Sequence, residues 1–322
     1  MRSYSKYIFT FCCLFPFCTN AQQIDNTLSY KNINTDHYFR LNYENDFFSA
    51  TDIYYTQGFV LELIAPSIKR FPLSKLLIRP TGEYTRYGIA LQHNGYTPTS
   101  IQHDELLVGD RPFAACAMFQ NFSISIDSVA HSRFSSAITL GVIGQAALGA
   151  EMQTGIHRWL NNVTPHGWKY QVHNDAIINY QVDYEKQLYA FKNILSIDAD
   201  AIGRLGTLSD KVAIGITLIG GYFDSPYSGQ IAAKNHFRMY AYEHTQLNLV
   251  GYDATLQGGI FNHTSPYTIT SSDISRIVLE NRFGFVVAYK NIFLEYFQSY
   301  LSQEFKTGYY HVWGGIQIAV GL

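Results

Sequence analysis

The chain has 322 residues, 47% of them hydrophobic and 15% charged, with a formal net charge of -2. That length holds one large or two small domains, and the near-neutral charge excludes a binder of nucleic acid, which needs a basic, phosphate-neutralising surface. Aromatic residues reach 16%, with 25 Tyr and 22 Phe, an excess of the kind found in membrane-interface belts, although a Tyr-rich soluble sandwich has the same composition.

The N-terminus reads as an export signal. Arg2 and Lys6 carry positive charge, and "YIFTFCCLFPFC" (residues 7–18) is an apolar core too short to span a bilayer. Thr19, Asn20 and Ala21 then lead to a cut after Ala21. Residues 1–21 are therefore expected to be a signal peptide and 22–322 a single mature domain. Cys12, Cys13 and Cys18 fall inside the signal, so the mature chain keeps only Cys116 and is not built on disulfides. No later stretch of about 18 apolar residues predicts a transmembrane helix. An exported, strand-rich chain can still cross a membrane as a closed barrel.

About twelve strands are predicted, centred on residues 37–44, 54–64, 84–93, 113–126, 134–145, 177–189, 193–203, 212–223, 237–248, 276–288, 292–304 and 310–322. The sixth is typical. Ile178, Tyr180, Val182 and Tyr184 alternate with Asn179, Gln181, Asp183 and Glu185, a period-2 pattern with one greasy and one polar face. A sandwich and a lipid-facing barrel both produce it. The last strand favours the barrel, because it runs apolar to the final residue, Leu322, as closure against a first strand requires. An even count puts both termini on the periplasmic side. The outer connections are then residues 47–53, 94–112, 146–176, 204–211, 249–275 and 305–309. Inner turns such as "FKN" and "YKN" are short, whereas "PSIKRFPLSKLLIRPTGE" (residues 66–83) is long for an inner turn and has no assigned role.

One outer connection reads as a helix. Met152, Ile156, Trp159 and Leu160 fall on one stripe, which, packed on the barrel rim, would hold His157 over the mouth. Gln153 and Thr154, four and three residues earlier, lie within reach of the imidazole. Asn45 and Asp46 close the first strand, Thr56 opens the second, and "GDRP" with Arg111 leads into the fourth, so the topology gathers these residues and His157 on one rim. Such hard oxygen donors suit Ca²⁺ and suit zinc poorly. A bound Ca²⁺ polarises an ester carbonyl, and a neutral His takes a proton from water. Each residue also has a plain reading: Asn45 and Asp46 as a turn, Thr56 as a strand residue, Arg111 as a rim ion pair, His157 as a solvated helical side chain. Asp52 is open between a turn residue and a carboxylate behind the site.

Several pieces carry a family resemblance: "END" (44–46), "DIYYTQG" (52–58), "GDRPFA" (109–114), "GVIG" (141–144), "EMQTGIHR" (151–158) and "GWKYQ" (167–171). In this order the chain resembles the outer-membrane lipid A 3′-O-deacylases of the LpxR type over nearly its whole mature length. The resemblance implies an all-β transmembrane barrel in the bacterial outer membrane, with its site facing the outer leaflet and lipid A of lipopolysaccharide as substrate among the membrane lipids. It implies Ca²⁺ at Asn45 and Asp46, Thr56 in the site wall, and His157 as base, with Gln153, Glu151, Asp52 and Arg111 as weaker supporting or substrate-contacting candidates. The chain departs from the family pattern after Arg158, where "WLNNVTP" holds no acidic residue, leaving Glu151 or Asp175 as replacements. It also lacks a basic pair at "TSIQHDELL". The alternatives are an outer-membrane phospholipase with a Ser nucleophile, for which Ser49 is nearest, a non-enzymatic porin-like barrel, and a soluble β-protein. The sequence names no protein partner.

Overall fold

The computed structural model describes residues 24–49, 53–80, 84–229 and 237–322; the expected export signal and Asp52 lie outside the described residues. Twelve antiparallel strands close on themselves. They are β1 (Tyr38–Asn45), β2 (Tyr54–Ile64), β3 (Tyr84–Thr97), β4 (Ala114–Asp127), β5 (Ser132–Ile143), β6 (Asp175–Phe191), β7 (Leu195–Gly206), β8 (Ser209–Tyr222), β9 (Phe237–Asp253), β10 (Ile277–Tyr289), β11 (Ile292–Leu301) and β12 (His311–Gly321). Closure is β12 on β1, from Tyr38 opposite Gly321 to Asn45 opposite Gly314. Every predicted strand is present. The third runs past residue 93, where the outer connection was expected to begin, because the ladder from Asn94 and Gly95 to Cys116 and Ala115 continues.

The alternation becomes two surfaces. Val212, Ile214, Ile216 and Leu218 of β8 are exposed apolar residues, as are Ile178 of β6 and Leu294 of β11. Apolar exposure around a whole sheet marks contact with lipid, and no helix among the described residues is long and apolar enough to cross a membrane. The inner face is polar and charged, with Arg40, Glu62, Arg133, Asp183, Glu185 and Asp198 all buried.

Those inner groups are satisfied by a segment to which the sequence assigned no role. Residues 24–36 enter the lumen ahead of β1. Asn26 Nδ2 donates to Glu62 (2.8 Å), Thr27 Oγ1 to Asp183 (2.8 Å), and the Ser29 N–H to Glu185 (2.9 Å). Arg133 donates back to the Thr27 carbonyl (2.7 Å). Ile24, Leu28, Tyr30 and Ile33 pack among inward side chains of the wall. A barrel of this strand number is too wide for wall side chains alone to fill, and the polar segment supplies both volume and hydrogen bonds. A polar cavity of about 30 Å³ beside Asp25 and Tyr30 has room for little beyond water.

The connections after β1, β3, β5, β7, β9 and β11 share one end, as expected. That after β5 carries helix α1 (Gly149–Trp159). The long connection after β2 does not hang free: its 3₁₀ turns, Pro66–Arg70 and Pro72–Lys75, lie against the outer wall.

Arg40 Nε donates to Glu62 Oε1 at 3.0 Å, and both side chains are almost fully buried. Removing one partner strands the other charge, so Glu62→Ala is expected to lose about 3–5 kcal/mol. Urea unfolding in lipid vesicles, followed by tryptophan fluorescence, measures the loss.

Candidate active site

The site begins with an irregularity in β2. Tyr55 pairs with Tyr96 and Gln57 with Gly95, so Thr56 is an extra, bulged residue. Tyr55 points into the barrel, its ring against Tyr96 and Trp313. Gln57 shares the outward face with Phe59 and Leu61. A Cβ at Gly95, on the outward face of β3, would lie 3.3 Å from Thr56 Cγ2 and 3.2 Å from Gln57 Cγ. The bulge thus turns the Thr56 side chain to the outside of the wall, as β-bulges do at sheet rims.

Helix α1 lies against that outer surface. Its buried residues are Gly149, Gln153 and His157, one turn apart on a single face. Gly149 sits so close to β4 and the next loop that an added Cβ would come 2.4 Å from Ala115 Cβ and 2.7 Å from the Trp168 ring. Gln153 Nε2 donates to Thr56 Oγ1 at 3.1 Å, and Trp168 Nε1 donates to Gln153 Oε1 at 2.6 Å. Both ends of the amide are therefore fixed. The Trp168 ring is buried and packs on Phe113 at 5.0 Å, so it is a pin beneath the helix.

This reverses the expected packing of the helix. The stripe read as its rim-packing face points away: Trp159 is 82% exposed and Leu160 57%, while Met152 and Ile156 are half-buried. The polar pair faces the wall. In water that arrangement is inverted, but the medium outside a membrane barrel is hydrocarbon, which takes the stripe. His157 consequently sits beside the wall and not over the mouth.

The tautomer of His157 follows from its partner. Nδ1 lies 2.6 Å from the Val163 carbonyl. A carbonyl only accepts, so Nδ1 carries the proton and Nε2 is the basic nitrogen. The partner sought after Arg158 is thus a backbone carbonyl. Asp175 is engaged elsewhere, accepting from the Phe261 and Asn262 N–H groups at 2.7 and 2.9 Å, and Glu151 is an exposed residue on the other side of α1.

From β1, Asn45 Oδ1 accepts the Phe47 N–H at 2.7 Å and Nδ2 donates to the Thr56 carbonyl. Asp46 is buried and opens the 3₁₀ turn Asp46–Ser49. Asn45, Thr56, Gln153 and Trp168 thus form one hydrogen-bonded chain, with His157 one turn beyond Gln153 and Asp46 next to Asn45. Ser49 Oγ lies 2.7 Å from the Asp46 carbonyl and 2.6 Å from that of Val312, an arrangement that ties down the turn. Arg111 is drawn into the rim: it pairs with Glu304, donates to Thr255 Oγ1 at 2.7 Å and lies over the Tyr96 ring at 4.6 Å. That is its plain structural reading.

The donors present are an amide oxygen, one carboxylate, a hydroxyl and backbone carbonyls. They match the hard-cation chemistry of Ca²⁺. Among the described residues no three or more His, Cys, Asp or Glu side chains gather in a metal-binding group.

The family model described as "Outer membrane protein LpxR" matches residues 8–322. The fold is similar to that of LpxR from Salmonella typhimurium at a TM-score of 0.73 and 18% identity, over 88% of this chain and all (100%) of that one. It is less similar to the β-domain of the Bordetella autotransporter BrkA, at a TM-score of 0.47 and 7% identity over 89% of this chain and 100% of that one. No curated protein matches the sequence.

Trp168→Phe removes the indole N–H while keeping a ring on Phe113, leaving the Gln153 oxygen unsatisfied. The expected cost is about 1–3 kcal/mol, read as a lower thermal midpoint in detergent. Gln153→Met in the same background is expected to recover part of it.

Proposed function

The chain belongs to the outer membrane protein LpxR family, and on that premise we propose that it is a lipid A deacylase hydrolysing the 3′-linked acyloxyacyl ester from the outer leaflet. The observation that carries the reading is the placement of Thr56, Gln153 and His157 between α1 and the outer wall. Polar side chains held on the membrane side of a barrel stand where a lipid in the leaflet can meet them.

In this mechanism His157 Nε2 removes the proton from the attacking water. Nδ1 keeps its own proton on Val163, which holds the ring in place and favours the imidazolium that forms. The same proton is then delivered to the departing hydroxyl of the lipid, so the acid and the alcohol leave with the elements of one water added. Gln153 donates to Thr56 Oγ1, so the Thr56 hydroxyl keeps its own proton to offer to substrate. Asn45 and Asp46 are the residues that would hold Ca²⁺, which when bound supplies positive charge for the developing oxyanion. Glu151, exposed on α1, and Arg111, committed to Glu304, have no part in these steps.

The phospholipase alternative relies on a Ser nucleophile, and Ser49 is directed at backbone carbonyls, which favours the water-attack reading.

Mass spectrometry of lipid A from cells making the chain is expected to show loss of one acyloxyacyl unit. His157→Ala should lower the rate by about 10²–10⁴, and Asp46→Ala or chelation of Ca²⁺ should suppress it while heat-modifiable migration on gels persists. Intact lipid A beside a folded, inserted barrel overturns the reading. Fatty acid released from phospholipids instead supports the alternative.

A further inference from the structure

The outer wall carries a second feature that joins the site. An open groove of about 470 Å³ runs between strands β2 and β5, lined by Leu61, Leu91, His93, Ala117, Phe119 and Leu140. Its upper end is tied to α1, where His93 Nε2 donates to the Ala147 carbonyl at 2.9 Å, two residues before the helix begins. Two residues along β3 from His93 is Gly95, whose missing side chain leaves the wall flat beneath Thr56 and Gln57. The groove therefore points along the outer wall toward Thr56.

The lower end is blocked. Phe71 meets Phe119 with ring centroids 5.7 Å apart. Phe71 belongs to the long connection after β2, which is stapled across the outside of four strands. Ser74 Oγ lies 3.1 Å from Asn121 Oδ1 of β4, and Ser136 Oγ of β5 donates to the Ile78 carbonyl at 2.7 Å. Tyr180 of β6 donates to the Leu76 carbonyl at 3.1 Å and accepts the Ile78 N–H at 2.8 Å. Ile68 and Leu77 bury against Tyr87 of β3 and Ile138 of β5.

We propose that residues 66–79 form the floor of an acyl-chain groove on the outer wall, and that this floor sets the length of chain accepted at the scissile ester. The occupant is the acyl chain on the ester of lipid A that the site hydrolyses; the inference rests on the deacylase reading. Lipid is the medium at this wall, and the groove is lined mainly by Leu, Phe and Ala, with the His93 ring nitrogen engaged by the Ala147 carbonyl, so its apolar surface suits an acyl chain. Leu91 and Ile89 lie four and six residues below Gly95, opposite Phe119 and Asn121. At about 3.3 Å per strand residue, that places the floor about 13–20 Å below the site, roughly the extended reach of a chain of ten to sixteen carbons.

The test uses the full-length protein in vesicles and a series of lipid A substrates that differ in chain length at the scissile ester. Phe71→Ala deepens the groove and should raise kcat/KM for the longest chains relative to the shortest, a change in the ratio between substrates and not a common shift in rate. Leu91→Trp shortens it and should move the preference the other way. Rates that change with no change in chain-length preference overturn the proposal. A second measurement does not depend on turnover: lipid A bearing a photoreactive group at the end of that acyl chain should label residues 71 and 119. Labelling at those positions without hydrolysis supports the groove while the deacylase reading fails. Labelling elsewhere, or only by phospholipid probes, overturns the groove while hydrolysis persists.

Discussion

The constraint on which everything else depends is that hydrocarbon offers no hydrogen bonds. Every backbone N–H and C=O of a crossing sheet must find a partner inside the sheet, and the pairing of β12 with β1 meets that demand by removing both edges. Closure creates an inside and an outside with opposite chemical requirements. The inside collects Arg40, Glu62, Arg133 and Glu185, which cost several kcal/mol each if left bare. The outside collects Ile, Leu, Val and ring faces. The rest of the molecule is arranged around this division.

The filling of the lumen follows from it. Residues 24–36 enter as a polar cord because wall groups such as Glu62 and Asp183 need donors. Once the lumen is occupied, a lipid substrate has no route through it. The proposed chemistry lies on the opposite surface, where the substrate already resides. The Thr56 bulge is the local device: one extra residue moves a hydroxyl to the outer face without breaking closure. The inverted amphipathicity of α1 belongs to the same arrangement, with Gln153 and His157 toward the wall and Trp159 toward the lipid.

The strands were legible because a period of two is imposed by the pleat and survives in the residues themselves, as Ile178 to Glu185 show. Helix α1 was legible as a helix for the same reason. Its orientation was not, since a helical stripe records which side is apolar and not whether water or lipid lies beyond it. Asn45, Thr56, Gln153 and His157 were gathered on one rim by topology alone. Their contact across the outer wall depends on a bulge, and nothing in "YYTQG" distinguishes a bulged Thr from a regular one. The Val163 carbonyl could not be foreseen at all, because every residue has a carbonyl and only the fold decides which one meets His157. The entry of residues 24–36 left a faint sign, a run of Asn, Thr and Ser directly before a strand, which an exported N-terminus also displays when it is merely solvated.

The connection at residues 66–79 shows how a polar position on a lipid-facing wall is to be understood. Asn121 and Ser136 face outward, where bare polar groups are costly in hydrocarbon. They are tolerated because a neighbouring segment covers them and takes their hydrogen bonds. That segment needs its own outer surface to be apolar, and Phe71, Leu76 and Ile78 are exposed there. Lys69, Arg70 and Lys75 are exposed as well, long side chains able to carry their charge along an apolar surface to headgroups. Outward polar residues in the lower half of β4 and β5 therefore require a cover, and any cover laid across four strands ends the groove above it. The depth of that groove is fixed by where Asn121 and Ser136 stand in their strands.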